Sequence, residues 1–116
     1  EPFRTAVLDE LRAAFPDVEI VEIESPAGGP PAADAAFGSA HGLYVNAVAT
    51  DRHLYVPTFG IPEDAAAMEL LRARSDREVV PVDARMVAAL GGSVRCLSGQ
   101  FKGENARKLI EAARAR

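Results

Sequence analysis

Along the first fifteen residues Phe3, Val7, Leu8, Leu11, Ala14 and Phe15 recur at spacings suited to one face of a helix, with Arg4, Asp9, Glu10 and Arg12 between them. A helix from Pro2 to Phe15 with one apolar stripe is expected, packed on something. Pro16-Asp17 ends it, and VEIVEI, Val18 to Ile23, reads as a β-branched strand with acidic residues interposed. Ser25 to Ala40 keeps no period and reads as a surface loop. Leu43–Thr50 and His53–Phe59 then read as two strands joined by Asp51-Arg52 in a hairpin. Pro57 suggests that the second strand ends near a sheet edge. Pro62 suits the first turn of a helix to about Arg74, with Glu63 and Asp64 at its positive end and Arg72 and Arg74 at its negative end. Glu78 to Val82 is a strand again, a short helix runs through Ala89, and SVRCLS, Ser93–Ser98, is a strand. Gly103 to Arg116 closes the chain as a helix with Ala106, Leu109, Ile110 and Ala113 on one face.

These elements repeat. A shift of 59 positions superposes Ala6 on Ala65, Glu10 on Glu69, Leu11 on Leu70, Ala14 on Ala73, Asp17 on Asp76 and Val21 on Val80. Helix, Asp turn and strand recur, and a further strand follows each copy: LYVNAV after the first, SVRCLS after the second. The expected organisation is one domain, residues 1–116, built from two hairpin-helix-strand units at about 1–59 and 60–116.

Composition narrows the classes of function. In 116 residues, 48% are hydrophobic and 26% charged, which is globular composition with room for one core. A net charge of -4 with scattered Lys and Arg leaves no basic face for phosphates, so no nucleic acid partner is expected. No apolar run is long enough to span a bilayer and no signal-peptide pattern opens the chain, so no membrane association is expected either. The single cysteine, with only His41 and His53 beside it, forms no internal disulfide and offers no zinc-ligand spacing. A reducing cytoplasm and no metal fit this best. The chain starts at Glu1 rather than Met, so an upstream part is expected to have been removed, disordered or left out.

Cys96 is the residue with most chemistry to offer. Placed in a strand, a lone cysteine is ordinarily a small buried hydrophobe. Its flanks open a second reading: Gly91-Gly92 lets backbone or a planar ligand approach closely, and Arg95 favours the thiolate indirectly, because alternation along a strand points it away. Gly91-Gly92 also reads simply as the end of the helix before it. Asn46 either orders a loop or lines the site. Asp83 reads as a helix N-cap, Asp51 and Arg52 as turn residues, and His41 and His53 as surface or turn residues.

The stretches YVNAVATDRHLYVPTFGIPEDAAAMELL, DREVVPVDAR and LGGSVRCLS resemble the C-terminal part of the agmatine deiminase and bacterial-type peptidyl-arginine deiminase family. The resemblance covers about Leu43 to Ser98, and more loosely Arg4 to Ile23. It implies an α/β fold of pentein type, a propeller-like ring of five hairpin-helix-strand units of which about two are present. It also implies deimination of agmatine or an arginine derivative, with release of ammonia and no cofactor. Cys96 falls on the family's nucleophile, Gly91 and Gly92 shape the approach of substrate, and Asn46 is a candidate substrate-binding residue. Leu90, Arg95 and Ile61 stand where the agmatine deiminase pattern has Gly, His and Asp, so the implied partner is a small guanidino compound or an arginine side chain without further distinction. The family's acid/base histidine and guanidinium-binding carboxylates lie upstream of this segment.

Two functions follow. In one, the chain is the cysteine-bearing segment of a guanidino-group hydrolase, completed by missing units. In the other, it is a non-catalytic interaction or oligomerisation module that kept the scaffold. Both leave ring faces open, so homo-oligomerisation or complementation is expected from either.

Overall fold

The computed structural model describes residues 2–26 and 38–115. Helix α1 is Pro2–Ala14, strand β1 Val48–Ala49, strand β2 His53–Thr58, helix α2 Glu63–Arg74, strand β3 Glu78–Asp83, helix α3 Arg85–Ala88 and helix α4 Gly103–Arg114. The fold is mixed α/β. Its sheet has the order β1-β2-β3, with β1 antiparallel and β3 parallel to β2. Parallel neighbours need a crossover, and α2 supplies it. The hairpin forms about Asp51-Arg52: the Thr50 N–H donates to the His53 carbonyl at 2.8 Å, and the His53 N–H donates to Thr50 Oγ1 at 3.1 Å.

Two prolines shape the sheet. The Glu78 N–H donates to the Arg52 carbonyl and the Ala84 N–H to the Thr58 carbonyl, so the even-numbered amides of β3 face β2. Pro81 therefore turns its missing donor to the outer edge of β3, where it blunts an open ladder. Pro57, expected near an edge, lies in the central strand, paired with Val82. It is tolerated there because β1 has already stopped. Val48 pairs with Tyr55, and two residues further the same register sets Asn46 opposite Pro57, whose nitrogen cannot donate.

The core lies between the sheet, one face of α2 and the turns at Ala40–Tyr44 and Ala84–Ala88. Val56 and Ala88 are fully buried, and Tyr44, Phe59, Ala67, Met68 and Val79 are nearly so. Tyr44 meets Phe59 edge to face, with ring centroids 5.4 Å apart.

Three expected strands differ. Val18–Ile23 pairs with no strand: Val18 is exposed and Glu22 and Glu19 are held instead by Arg4 and Arg74, with only Ile23 packed against the core. A β-branched run becomes a strand only where an edge accepts it. Leu43–Thr50 keeps just two strand residues, because Tyr44–Asn46 turns away where Pro57 ends the ladder. Ser93–Ser98 is a run of tight turns, closed by Leu97 N–H to the Ser93 carbonyl and Ser98 N–H to the Arg95 carbonyl. The short helix after β3 stops at Ala88, with Gly91 at φ +95° behind it, which agrees with the helix-end reading of that glycine. Of the 59-residue repeat, both helices form, but a strand follows only the second. Most of the expected Ser25–Ala40 loop lies outside the described residues.

Among the described residues the outer helices are amphipathic without cover. In α1 only Leu8 is buried, while Phe3, Val7 and Leu11 are exposed; in α4 no residue is buried, and Leu109 and Ile110 are half exposed. No helix among the described residues is long and apolar enough to cross a membrane.

The position of the core predicts that Phe59→Ala costs about 3–5 kcal/mol. Met86→Ser, at a side chain 88% exposed, is expected to stay within about 0.5 kcal/mol of the parent. Urea unfolding followed by circular dichroism checks both.

Candidate active site

Cys96 is exposed, which overturns its reading as a buried hydrophobe. The turn that carries it is held by one residue from across the fold. Asn46 accepts the Arg95 N–H at its main-chain carbonyl, 3.1 Å, a carbonyl left unclaimed because Pro57 has no N–H to give it. Its side-chain Oδ1 accepts the Arg95 and Cys96 N–H groups at 3.0 and 3.2 Å.

Those contacts fix the orientation of the carboxamide. Two backbone N–H groups can only donate, so the oxygen must face them, and Nδ2 is left facing sulfur. It donates to Cys96 Sγ at 3.0 Å. A protonated thiol has its own, longer option, Sγ to Asn46 Oδ1 at 3.5 Å. The shorter bond to the charged form is the stronger. The thiol pKa is consequently lowered, chiefly by the Asn46 side chain, then by the Ser93 backbone N–H, with Arg95 contributing less. Asn46 thus orders the turn that carries Cys96 and contacts its sulfur.

The two glycines act differently from each other. Gly91 provides the left-handed backbone after α3. At Gly92 a β-carbon would stand 3.0 Å from Cys96 Cβ and 3.4 Å from its Sγ, so the close approach that this glycine permits is that of Cys96 itself. After the cysteine, Gln100 Nε2 donates to the Ala49 carbonyl at 2.6 Å, and residues 95–100 thereby run along the free edge of β1.

Other residues singled out in the sequence stand apart from this cluster. His41 Nδ1 shares a hydrogen bond with Ser39 Oγ at 2.8 Å and its ring lies against Phe59. His53 faces Glu78 at 3.4 Å, its cross-strand partner. Asp83 accepts the Arg85 N–H at 3.1 Å and pairs with its guanidinium, which holds the carboxyl down at about 2; it is not the expected N-cap of α3, a position that Ala84 occupies one residue later. Arg95 is not on a strand and is tied to Asn46 through its main chain. Among the described residues no histidine or carboxylate hydrogen-bonds Cys96.

Two contributors were not legible in the sequence. Ser93 is fully buried, its hydroxyl without a protein partner among the described residues, and its backbone helps to lower the Cys96 thiol pKa. Asp64 reads as a favourable helix-end charge, yet its carboxylate collects the Phe59, Gly60 and Ile61 N–H groups and the Tyr44 hydroxyl. The Gly-Ile-Pro turn just ahead of an Asp was the available signal for the second. The shallow depressions over α2 and beside Phe101 lie away from Cys96, which stands on open surface.

Comparison with known proteins follows this geometry. A family model described as Porphyromonas-type peptidyl-arginine deiminase matches residues 4–101. A crystal structure assigned provisionally as a peptidyl-arginine deiminase is similar over 73% of this chain and 25% of that one, at 26% identity and a TM-score of 0.63. A cysteine-to-serine variant of C. jejuni agmatine deiminase with substrate bound is similar over 81% of this chain and 28% of that one, at 22% identity and a TM-score of 0.57. The chain spans about a quarter of the length of these two structures. No curated protein matches.

A lowered thiol pKa has a definite sign in kinetics. Below the unfolded midpoint the folded protein holds more thiolate, so iodoacetamide should label Cys96 faster in buffer than in urea at neutral pH, with the difference closing above both midpoints. Intact mass after timed quenching reads this directly. Gly92→Ala should move the folded profile toward the urea profile, because the new methyl displaces Cys96 from Asn46.

Proposed function

We propose that this chain, which belongs to the Porphyromonas-type peptidyl-arginine deiminase family, carries the nucleophilic cysteine of a guanidino-group hydrolase. The observation that carries the reading is the Asn46 Nδ2 to Cys96 Sγ hydrogen bond, which prepares an exposed thiolate. Thiolate and an open face are what attack on a planar guanidinium carbon requires.

The step runs as a substitution. The Cys96 sulfur bonds to the guanidinium carbon, and the carbon–nitrogen bond breaks as ammonia leaves with a proton from a general acid. Water then adds to the S-linked thiouronium, the carbon–sulfur bond breaks, and the ureido product departs from a regenerated thiolate. Asn46 serves each sulfur state: Nδ2 stabilises the thiolate that attacks and that leaves, while Oδ1 keeps the turn in place. Gly91 and Gly92 keep the approach free of side chains.

The general acid and the carboxylates that clamp a guanidinium belong, on this reading, to units outside this segment. The chain is then one domain of pentein type, residues 1–116, with units near 1–59 and 60–116, working in the cytoplasm on a small guanidino compound or an arginine side chain without a cofactor. The substrate-bound C. jejuni neighbour supports the class of substrate, and its being a cysteine-to-serine variant fits a covalent nucleophile.

A second reading has its own observation. Uncovered apolar faces on α1 and α4 suit a module that binds other units or a second copy whether or not the thiol is used.

Labelling separates the two. Chloroacetamidine, cationic and guanidinium-shaped, is compared with neutral chloroacetamide on the folded chain at pH 7 and in urea. With the clamping carboxylates elsewhere, a hydrolase segment should take up both reagents faster in buffer than in urea through its prepared thiolate, with Cys96→Ser giving no adduct. Labelling no faster in buffer than in urea would leave the non-catalytic module.

A further inference from the structure

The turn that brings Asn46 to the cysteine is itself anchored from beneath. Tyr44, two residues earlier, is 2% exposed and donates its hydroxyl to Asp64 Oδ1 at 2.9 Å. Asp64 stands in the first turn of α2, and the other end of its carboxylate takes Gly60 N–H at 2.7 Å and Ile61 N–H at 3.2 Å, with Phe59 N–H shared between both oxygens at 3.1 and 3.0 Å. The loop leaving β2 and the turn entering β1 are therefore clasped by one carboxylate. From there Asn46 N–H to the Leu43 carbonyl, 3.0 Å, closes the turn that presents the carboxamide.

A buried tyrosine needs a partner for its hydroxyl, and many acceptors would serve that need. This one ties the Asn46 turn to the rigid start of a helix, leaving little freedom for Asn46 to swing from the sulfur. We infer that Tyr44 and Asp64 are positioning residues for the thiol site, acting on Cys96 through Asn46. The inference rests on the reading of Asn46 and Cys96 as the reactive pair.

Charges near each end are few. Asp64 and Glu63 from α2 act on the Tyr44 hydroxyl, and burial with the Asp64 bond holds its pKa well above the usual phenol value, so it stays a donor across the working range. Arg95, in the cysteine's own turn, is the charge that acts on Cys96.

Tyr44→Phe is the direct test, since the ring keeps its packing on Phe59 and only the hydroxyl is lost. Asp64→Asn is the second variant, and Asn46→Ala is the control for the pair itself. Each is checked by circular dichroism and thermal unfolding, and iodoacetamide labelling of Cys96 is followed from pH 5.5 to 9 at a temperature where every variant is folded. Asn46→Ala should slow labelling at pH 6.5 by about fivefold or more, and Tyr44→Phe and Asp64→Asn by about two- to threefold, with little change on the alkaline plateau. A purely structural role would lower the unfolding temperature and leave the pH profile of the folded protein in place. That outcome for both Tyr44→Phe and Asp64→Asn, beside a shifted Asn46→Ala profile, overturns the positioning role and leaves the reactive pair standing. An unshifted profile for Asn46→Ala overturns the pair and the inference together.

Discussion

Pro57 has no N–H to give, and the residue that the sheet register sets opposite it is Asn46. The arrangement at Cys96 depends on that. Without a donor across from it, β1 stops after two residues, the main chain turns out of the sheet, and the Asn46 carbonyl is left to the Arg95 amide. A buried or bridging carbonyl seeks a donor, so the Cys96 turn docks where the ladder ends. A proline in a central strand ordinarily weakens a sheet; here its cost falls at the place where a strand has to end.

A second carboxamide or carboxylate takes up the donors released by each such departure from regular structure. Asn46 satisfies the two amides of the Cys96 turn, and Asp64 satisfies three amides of the loop after β2. Both residues are short-chained acceptors that can hold several convergent N–H groups without strain. The result is an irregular region with these amides paired, set on a small sheet and the start of α2. The sulfur benefits from the same arrangement, because a group whose oxygen is fully engaged presents its N–H₂ in a fixed direction.

Outside this centre the packing is thin. The sheet, α2 and the two short turns bury the core, whereas α1 and α4 carry apolar stripes that nothing among the described residues covers. The chain also spans only about a quarter of its two solved neighbours. Amphipathic helices of this kind are stable when their faces are buried, so their periodicity is a statement about contacts beyond themselves. The Cys96 turn, by contrast, is assembled from within the chain.

Local chemistry in the sequence determined α1, α2, α4, the Asp51-Arg52 hairpin, β2 and β3, because helical period, turn residues and β-branched runs act over a few neighbours. The cysteine, the two glycines and Asn46 were also visible there, as types suited to a nucleophile and its surroundings and through their family resemblance. Only the tertiary structure decided that Val18–Ile23 and Ser93–Ser98 are not strands, since a strand exists by pairing and the sequence does not say which edges are free. It alone brought Asn46 to Cys96 across fifty positions and made Asp64 an anchor rather than a helix-end charge. The meeting of Asn46 and Cys96 follows from where Pro57 interrupts a ladder, which is a property of register and not of any one segment.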